Sequence, residues 1–179
     1  MSGAVSPVPA AASLAEAKAY LRIDAESEDA LLDGLIASAT ALCEAFVGQY
    51  LVARSVAETI PVCADWRRLA RTPVQSVAGV DGLTGEGVAV PLAGDAYAAQ
   101  IDGNGDGWVH IPAGGGAAWA VVHYRAGIAD DAAGVPASLR QGILRLTAHL
   151  YSHRDAPEGG GPPAAVAALW RPWRRMRLS

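Results

Sequence analysis

Apolar residues recur with a helical period near both ends of the chain and with a period of two in between. Leu139, Ile143, Leu146 and Leu150 follow one another at steps of three and four, which predicts an amphipathic helix over residues 135–156. Pro136 supplies the backbone angle of a helix start. Pro157 and the glycines after it end the helix. This helix is the clearest element of the chain.

The N-terminal part predicts two more helices after a flexible leader, residues 1–12. Ser13 and Glu16 have the spacing of a capping box, which opens a short helix. A long helix follows within the helical region 13–53, with Ser27 as its expected cap. Its apolar residues form two adjacent stripes: Leu31, Leu35, Ala39, Leu42 and Phe46, and beside them Leu32, Ile36, Cys43, Val47 and Tyr50.

Residues 54–127 predict a small antiparallel β lobe or partial barrel, because alternation replaces the helical period. Asp81-Gly82 is a turn signal after one strand, and Gly85 and Gly87 bracket the next turn. The expected strands are residues 56–60, 74–80, 88–92, 97–101, 108–111 and 119–124.

Pro162 and Pro163 then start a short helix, within a final segment of residues 164–179. The expected fold is therefore α+β. N- and C-terminal helix pairs form a helical bundle, and the small antiparallel β lobe is inserted between them. At 179 residues the chain is expected to be a single domain.

Charge is distributed unevenly along the chain. All 18 acidic and 10 of the 14 basic residues lie in residues 1–165, a net charge of −8, whereas residues 166–179 carry four arginines and no acid. The overall charge of −4 gives no general case for nucleic-acid binding. An acidic body with a basic tail indicates a tail that docks at a specific place.

The rest of the composition excludes several classes of protein. Half of the residues are apolar, as in a globular protein. Two cysteines, Cys43 and Cys63, do not make a disulfide framework, and Cys43 is expected in the core. We expect no signal peptide and no membrane span. The protein is expected to be made and used in a cytoplasm, or in something assembled there.

Residues 102–107, Asp-Gly-Asn-Gly-Asp-Gly, match the first half of a calcium-binding loop. The twelfth position, where the loop needs a bidentate Glu, is Ala113, and the flanking segments are strands. We therefore favour a β-turn for Asp102 and Asp106, chosen for residues that accept positive φ.

His149 and His153 have the i, i+4 spacing of zinc ligands, with His110 and His123 as further candidates. The catalytic Glu of a metalloprotease motif is missing, because position 150 is Leu, so surface or core roles are favoured. There is no nucleophile elbow and no phosphate loop. We expect no enzyme activity, no metal site and no cofactor.

The C-terminal segment has the composition of an interface anchor, with two Trp and four Arg in nine residues. It is expected to bind a partner; a cap on its own bundle and a nucleic-acid arm are the alternatives. A Gly/Pro hinge at 158–163 would let it leave the bundle. The candidate partner-binding residues are Trp170, Arg171, Trp173, Arg174, Arg175 and Arg177.

The order of these motifs resembles one known family. Residues 13–23 read SLAEAKAYLRI, and the long helix ends in FVGQYL at residues 46–51. The β region closes on VVHYRAG at residues 121–127, and VPASLRQGILRLTAHLYSHR follows at residues 135–154. In this order they resemble the head–tail connector (adaptor) proteins of long-tailed phages and phage-like gene transfer agents, over residues 13–179.

This resemblance implies a structural virion neck protein without enzyme activity. Family members form a ring, usually dodecameric, that connects the portal protein at one capsid vertex to a downstream neck or tail protein and leaves a channel for DNA. The segment that docks on the portal maps to residues 164–178. The implied location is the neck of a virion or phage-like particle assembled in the bacterial cytoplasm, with no membrane contact and no sequence-specific DNA binding.

Other functions stay open at this point. A head-closure or tail-terminator protein is the alternative in the same setting. A calcium- or ligand-binding β module and a zinc hydrolase using His149 and His153 belong to different classes, and calorimetry with calcium or metal analysis would distinguish them.

Overall fold

The computed structural model describes residues 8–112, 116–153 and 161–175. The chain forms two compact units. The first joins Met1–Val52 with Ala129–Ser179 and contains the helices, and the second is Ala53–Ile128 and contains the strands. The α+β class, with a helical bundle built from both ends of the chain and an inserted antiparallel β lobe, is confirmed.

Four α-helices and two single-turn 3₁₀ helices form the described part of the first unit. Ser13 Oγ accepts a hydrogen bond from the Glu16 N–H at 3.2 Å, and a Glu16 carboxylate oxygen accepts one from the Ser13 N–H at 2.8 Å. The predicted capping box is therefore confirmed. The α-helices are α1 (Leu14–Leu21), α2 (Asp29–Val47), α3 (Ala137–Ser152) and α4 (Ala164–Trp170); the 3₁₀ helices are Glu26–Glu28 and Arg171–Trp173.

The beginning of the chain departs from two predictions. Ser27 does not cap α2, because it lies within the 3₁₀ turn and Glu28 occupies the N-cap position. Ala11 and Ala12, assigned to the flexible leader, are buried, and the Ala11 N–H donates to Thr40 Oγ1 at 3.4 Å. Two small residues fit closely against α2, so the ordered packing begins before α1. Residues 1–7 lie outside the described residues.

α2 buries its two apolar stripes unequally. Its buried residues centre on the second predicted stripe, whereas Leu31 and Leu42 of the first are 39% and 47% exposed. Sequence periodicity could not choose between them, because both sides of the helix are apolar. The buried residues are Leu32, Ile36, Ala39, Thr40, Cys43, Glu44 and Val47.

The end of α2 is fixed by polar contacts that the sequence did not reveal. Gly48 takes a left-handed conformation at φ 71°, which turns the chain out of the helix. The Glu44 side chain, on the last turn, accepts a hydrogen bond from the Leu51 N–H at 2.9 Å. The Ala129 N–H donates to the Leu51 carbonyl at 3.0 Å, so the chain re-enters this unit beside the place where it leaves.

Among the described residues, the segment Glu26–Val47 is long and apolar enough to cross a membrane, judged by length and composition alone. The core helix of a globular unit passes the same test. One side of α2 is core, but only 39% of the segment's most apolar window is buried, and the part that is not buried includes Leu31 and Leu42.

Seven described strands form two antiparallel sheets in the second unit. They are β1 (Arg54–Pro61), β2 (Arg67–Arg68), β3 (Val74–Leu83), β4 (Ala89–Pro91), β5 (Ala98–Ile101), β6 (Gly107–His110) and β7 (Trp119–Ala126). The sheet orders are β1-β7-β3-β4 and β2-β6-β5. Ala120, Val122, Tyr124 and Ala126 of β7 alternate inward and are buried.

The six predicted strands are all present, with two departures. β3 continues through Asp81-Gly82, because both residues pair with β4 and β7; the predicted turn there is wrong. The chain turns instead where the Gly87 N–H donates to the Thr84 carbonyl at 2.8 Å, in the second predicted turn. β2 was missed because a strand of two residues has no detectable period.

Candidate partner-binding tail

The C-terminal segment from Trp170 lies against its own bundle over the residues that are described. The Trp170 side chain is fully buried, and its Nε1–H donates to the Leu139 carbonyl at 3.3 Å. Its ring centre lies 5.7 Å from that of Phe46 on α2. Trp170 is therefore part of the core, which corrects the expectation that its side chain binds a partner.

Gly142 on α3 makes room for this tryptophan. A Cβ atom built at position 142 would lie 2.1 Å from Trp170 Nε1, far inside van der Waals contact. A glycine inside a helix costs stability relative to alanine. A glycine inside this helix was therefore a sequence signal that another group packs closely against it. The signal did not identify Trp170 as that group.

Beyond Trp170, three hydrogen bonds fix the tail at one end of the bundle. Trp173 Nε1–H donates to Ser138 Oγ at 2.9 Å, and Gln49 Nε2–H donates to the Trp173 carbonyl at 2.6 Å. The Arg175 N–H donates to the Val47 carbonyl at 2.9 Å. The last bond satisfies a carbonyl left open at the C-terminus of α2. The sequence did not reveal the roles of Gln49 and Ser138, because each forms its hydrogen bond with a residue far along the chain.

The described arginines of the segment differ in exposure. Arg171 and Arg174 are exposed, Arg175 is half-buried, and Arg177 lies outside the described residues. The Arg174 guanidinium carbon lies 5.7 Å from the centre of the Phe46 ring, a cation–π contact. The hinge predicted at 158–163 is described only at residues 161–163. The tail thus presents exposed positive charge on a backbone held by its own subunit.

The aspartates of the calcium-like loop have turn roles, as predicted. Asp102 Oδ1 accepts the N–H groups of Asn104 and Asp106 at 2.8 and 2.9 Å. Asp106 Oδ1 accepts from Arg68 at 2.9 Å and from Thr72 Oγ1 at 3.1 Å. The oxygens that would bind a cation are thus engaged by protein donors. Ala113 lies outside the described residues.

Each of the four histidines has a local contact. His149 and His153 stack on each other with ring centres 4.3 Å apart. His110 stacks on Trp66 at 5.4 Å, and His123 Nε2 lies 2.8 Å from Asp81 Oδ2. In residues 8–112, 116–153 and 161–175 no three metal-binding side chains come together.

The two cysteines differ in environment, and neither forms a disulfide bond. Cys43 is buried in the bundle, as expected, and burial raises the pKa of its thiol. Cys63 lies in the β unit, where its hydrogen bond with Arg67 and then the Asp65 carbonyl lower the pKa of its thiol.

Comparison with known families agrees with the resemblance drawn from the motifs. Residues 11–72 match the family described as phage gp6-like head-tail connector protein. No curated protein matches the chain. The resemblance to head–tail connector proteins is thereby confirmed.

Solved structures extend this similarity to the whole chain. A chain from the neck of an empty GTA particle, computed with C6 symmetry, is 25% identical with a TM-score of 0.78, and the match covers 98% of this chain and 95% of that one. A chain from the virion of a native gene transfer agent (GTA) particle is 24% identical, with a TM-score of 0.76 and coverage of 98% and 95%. A third, from the neck of a native GTA particle computed with C12 symmetry, is 23% identical, with a TM-score of 0.73 and coverage of 100% and 97%.

Proposed function

We propose that the chain is a structural subunit of the neck of a phage-like particle, where it connects the head to the tail. The observation that carries this proposal is the match, over nearly the full length of both chains, to a neck protein of a gene transfer agent particle. The family match at residues 11–72 supports the same role. The function is mechanical, to join other proteins around a DNA channel, and involves no catalysis.

The assembled form in this proposal is a closed ring around the DNA channel. Related necks were computed with C6 and C12 symmetry, which fits a dodecamer. A channel requires cyclic symmetry, so each subunit contacts its two neighbours through two different surfaces. The body carries a net charge of −8 over residues 1–165. Like charge would let DNA slide past the ring instead of binding to it.

The portal contact in this proposal uses the charged side of the tail. Trp170 anchors the segment in its own subunit. We therefore assign the docking to Arg171 and Arg174, which are exposed, together with the half-buried Trp173 and Arg175 and with Arg177, which lies outside the described residues. Arginines pair with carboxylates in a fixed geometry. Such contacts give register and salt sensitivity more than raw affinity. A downstream neck or tail protein would bind elsewhere on the ring.

Charge reversal tests this docking better than truncation does. Deleting residues 165–179 would remove Trp170 from the core, so the truncated subunit is not expected to fold. The double variant Arg171→Glu/Arg174→Glu should change the melting temperature only slightly, because substitutions of exposed residues have small effects on stability. It should fail to join DNA-filled heads in a particle assembly assay.

The matched control is Arg67→Glu/Arg145→Glu, which reverses two exposed arginines that do not belong to the tail segment. This control should attach to heads as the unchanged protein does. Normal attachment of the Arg171→Glu/Arg174→Glu variant would place the portal contact elsewhere. Absence of the unchanged protein from purified particles would contradict the neck function itself.

A further inference from the structure

The outward side of α2 is an apolar surface with a single charge. From Gly34 to Ala45 it has no exposed charged residue, and Asp33 stands at its N-terminal edge. Two rows share this side of the helix. One contains Leu31, Leu35, Ser38 and Leu42, and the other contains Ala30, Gly34, Ala37, Ala41 and Ala45. We call these nine residues the outer α2 face.

Two leucines of this face are exposed to solvent. Leu31 and Leu42 are 39% and 47% exposed, although the opposite side of the same helix is fully packed. A Cβ atom built at Gly34 would meet no atom within 4 Å, so nothing in the subunit lies over that position. Contiguous exposed apolar surface of this kind marks an interaction site.

The composition of the face restricts what can cover it. α2 contains no lysine or arginine, so it has no group that binds a DNA phosphate. Helices that lie on membranes carry basic residues and large aromatic side chains at the lipid boundary, and the outer α2 face has neither. Its small residues instead allow the close approach of another protein surface, since the distance between packed elements depends on the side chains at the contact.

We propose that the outer α2 face is the lateral contact through which one subunit packs on a neighbouring copy of the same chain in the ring. This inference rests on the proposed neck function. In a ring each subunit buries two lateral surfaces, and stable interfaces between copies are more apolar than the rest of the surface. The related necks computed with C6 and C12 symmetry support repetition of the chain around an axis.

The contact is heterologous: the outer α2 face of one copy meets a different surface of the next copy. A face that met itself would give a closed two-fold dimer and no ring. Leu42, the most exposed leucine of the face, is therefore expected near a residue of the neighbour that does not belong to its α2.

A photo-crosslinking amino acid in place of Leu42 tests this directly in assembled particles. The expected product is a covalent adduct between two copies of the chain, with the second attachment site outside residues 29–47. An adduct to another virion protein would overturn the proposal, as would an adduct that joins the two α2 helices. If the chain is absent from particles, the neck function itself is wrong. If the chain is present but the adduct differs from the expected one, only the lateral contact is wrong, so the two failures are distinguishable.

A charge variant provides an independent test. Leu42→Glu places a carboxylate in the interface, and we expect at least a tenfold loss of incorporation into particles with an unchanged melting temperature. Val88→Glu is the matched control, because Val88 is an apolar residue of the β unit that is 55% exposed. Equal loss in both variants, or normal incorporation of Leu42→Glu, would overturn the proposal. So would binding of the unchanged protein, but not Leu42→Glu, to vesicles of phosphatidylcholine and phosphatidylglycerol.

Discussion

Trp170 and Gly142 show how a single pair of residues decides the role of the tail. A tryptophan in an arginine-rich segment has the composition of an interface anchor. Here the missing side chain at Gly142 opens a place for it on α3, and the ring is fully buried. Composition could not distinguish the two roles, because the space that receives the ring belongs to a helix about thirty residues earlier.

Gly142→Ala should destabilise the protein, because the new methyl group would occupy the position of the indole nitrogen. Overpacking of this kind costs about 1–3 kcal/mol. Gly34→Ala is the matched control: it is also a glycine inside a helix, with open space around it, and should gain about 0.5–1 kcal/mol. Chemical denaturation of both variants measures the difference. An unchanged stability of Gly142→Ala would show that Trp170 is loosely held.

Glu16 is a residue whose role could be predicted from sequence, because both partners of the capping box lie within four residues. Its hydrogen bond with the Ser13 backbone lowers the pKa of its carboxyl below the ordinary 4.5. A carboxyl with a lowered pKa stabilises the fold above its ordinary pKa, and this stabilisation is lost as the pH falls through the folded-state value.

Glu16→Ala should therefore cost about 1 kcal/mol at neutral pH, a typical value for a helix cap. The difference from the unchanged protein should narrow in strongly acidic solution, where Glu16 is protonated. Urea denaturation at neutral and acidic pH measures both. A difference that stays constant across this range would mean that the charge of Glu16 contributes nothing.

At the scale of elements, periodicity located the helices and the six longer strands but could not orient all of them. α3 presents Leu139, Ile143 and Leu146 to the core as predicted, because its other side is polar. α2 has no polar side, so its two stripes were equivalent in the sequence. The hairpin at residues 102–107 was predictable because glycine, Asn and Asp report a turn locally.

Calcium should leave the stability of this hairpin unchanged. Asp102 and Asp106 already accept hydrogen bonds from backbone and side-chain donors of the turn. The double variant Asp102→Asn/Asp106→Asn keeps an oxygen acceptor at each position and should fold and assemble normally. Thermal melts with and without calcium test this. A calcium-dependent rise in melting temperature that the double variant abolishes would restore the calcium-site hypothesis.

At the scale of the whole molecule, the order of motifs along the chain identified the connector class, whereas composition excluded other classes without naming one. The acidic body and basic tail are a property of the sequence alone. Which surfaces meet neighbours could not be read from it, because that depends on which side of α2 the bundle leaves uncovered. The two proposed contacts, the tail arginines and the outer α2 face, consist of different residues and can be tested separately.

Cryo-electron microscopy of the neck of particles that contain this chain tests the central claim most directly. We expect a ring of this chain between the portal and the tail, fitted by the fold described here, with the tail arginines facing the portal and the outer α2 face covered by the adjacent copy. Particles in which the chain lies outside the neck, or in which head and tail join normally after its gene is deleted, would contradict the account.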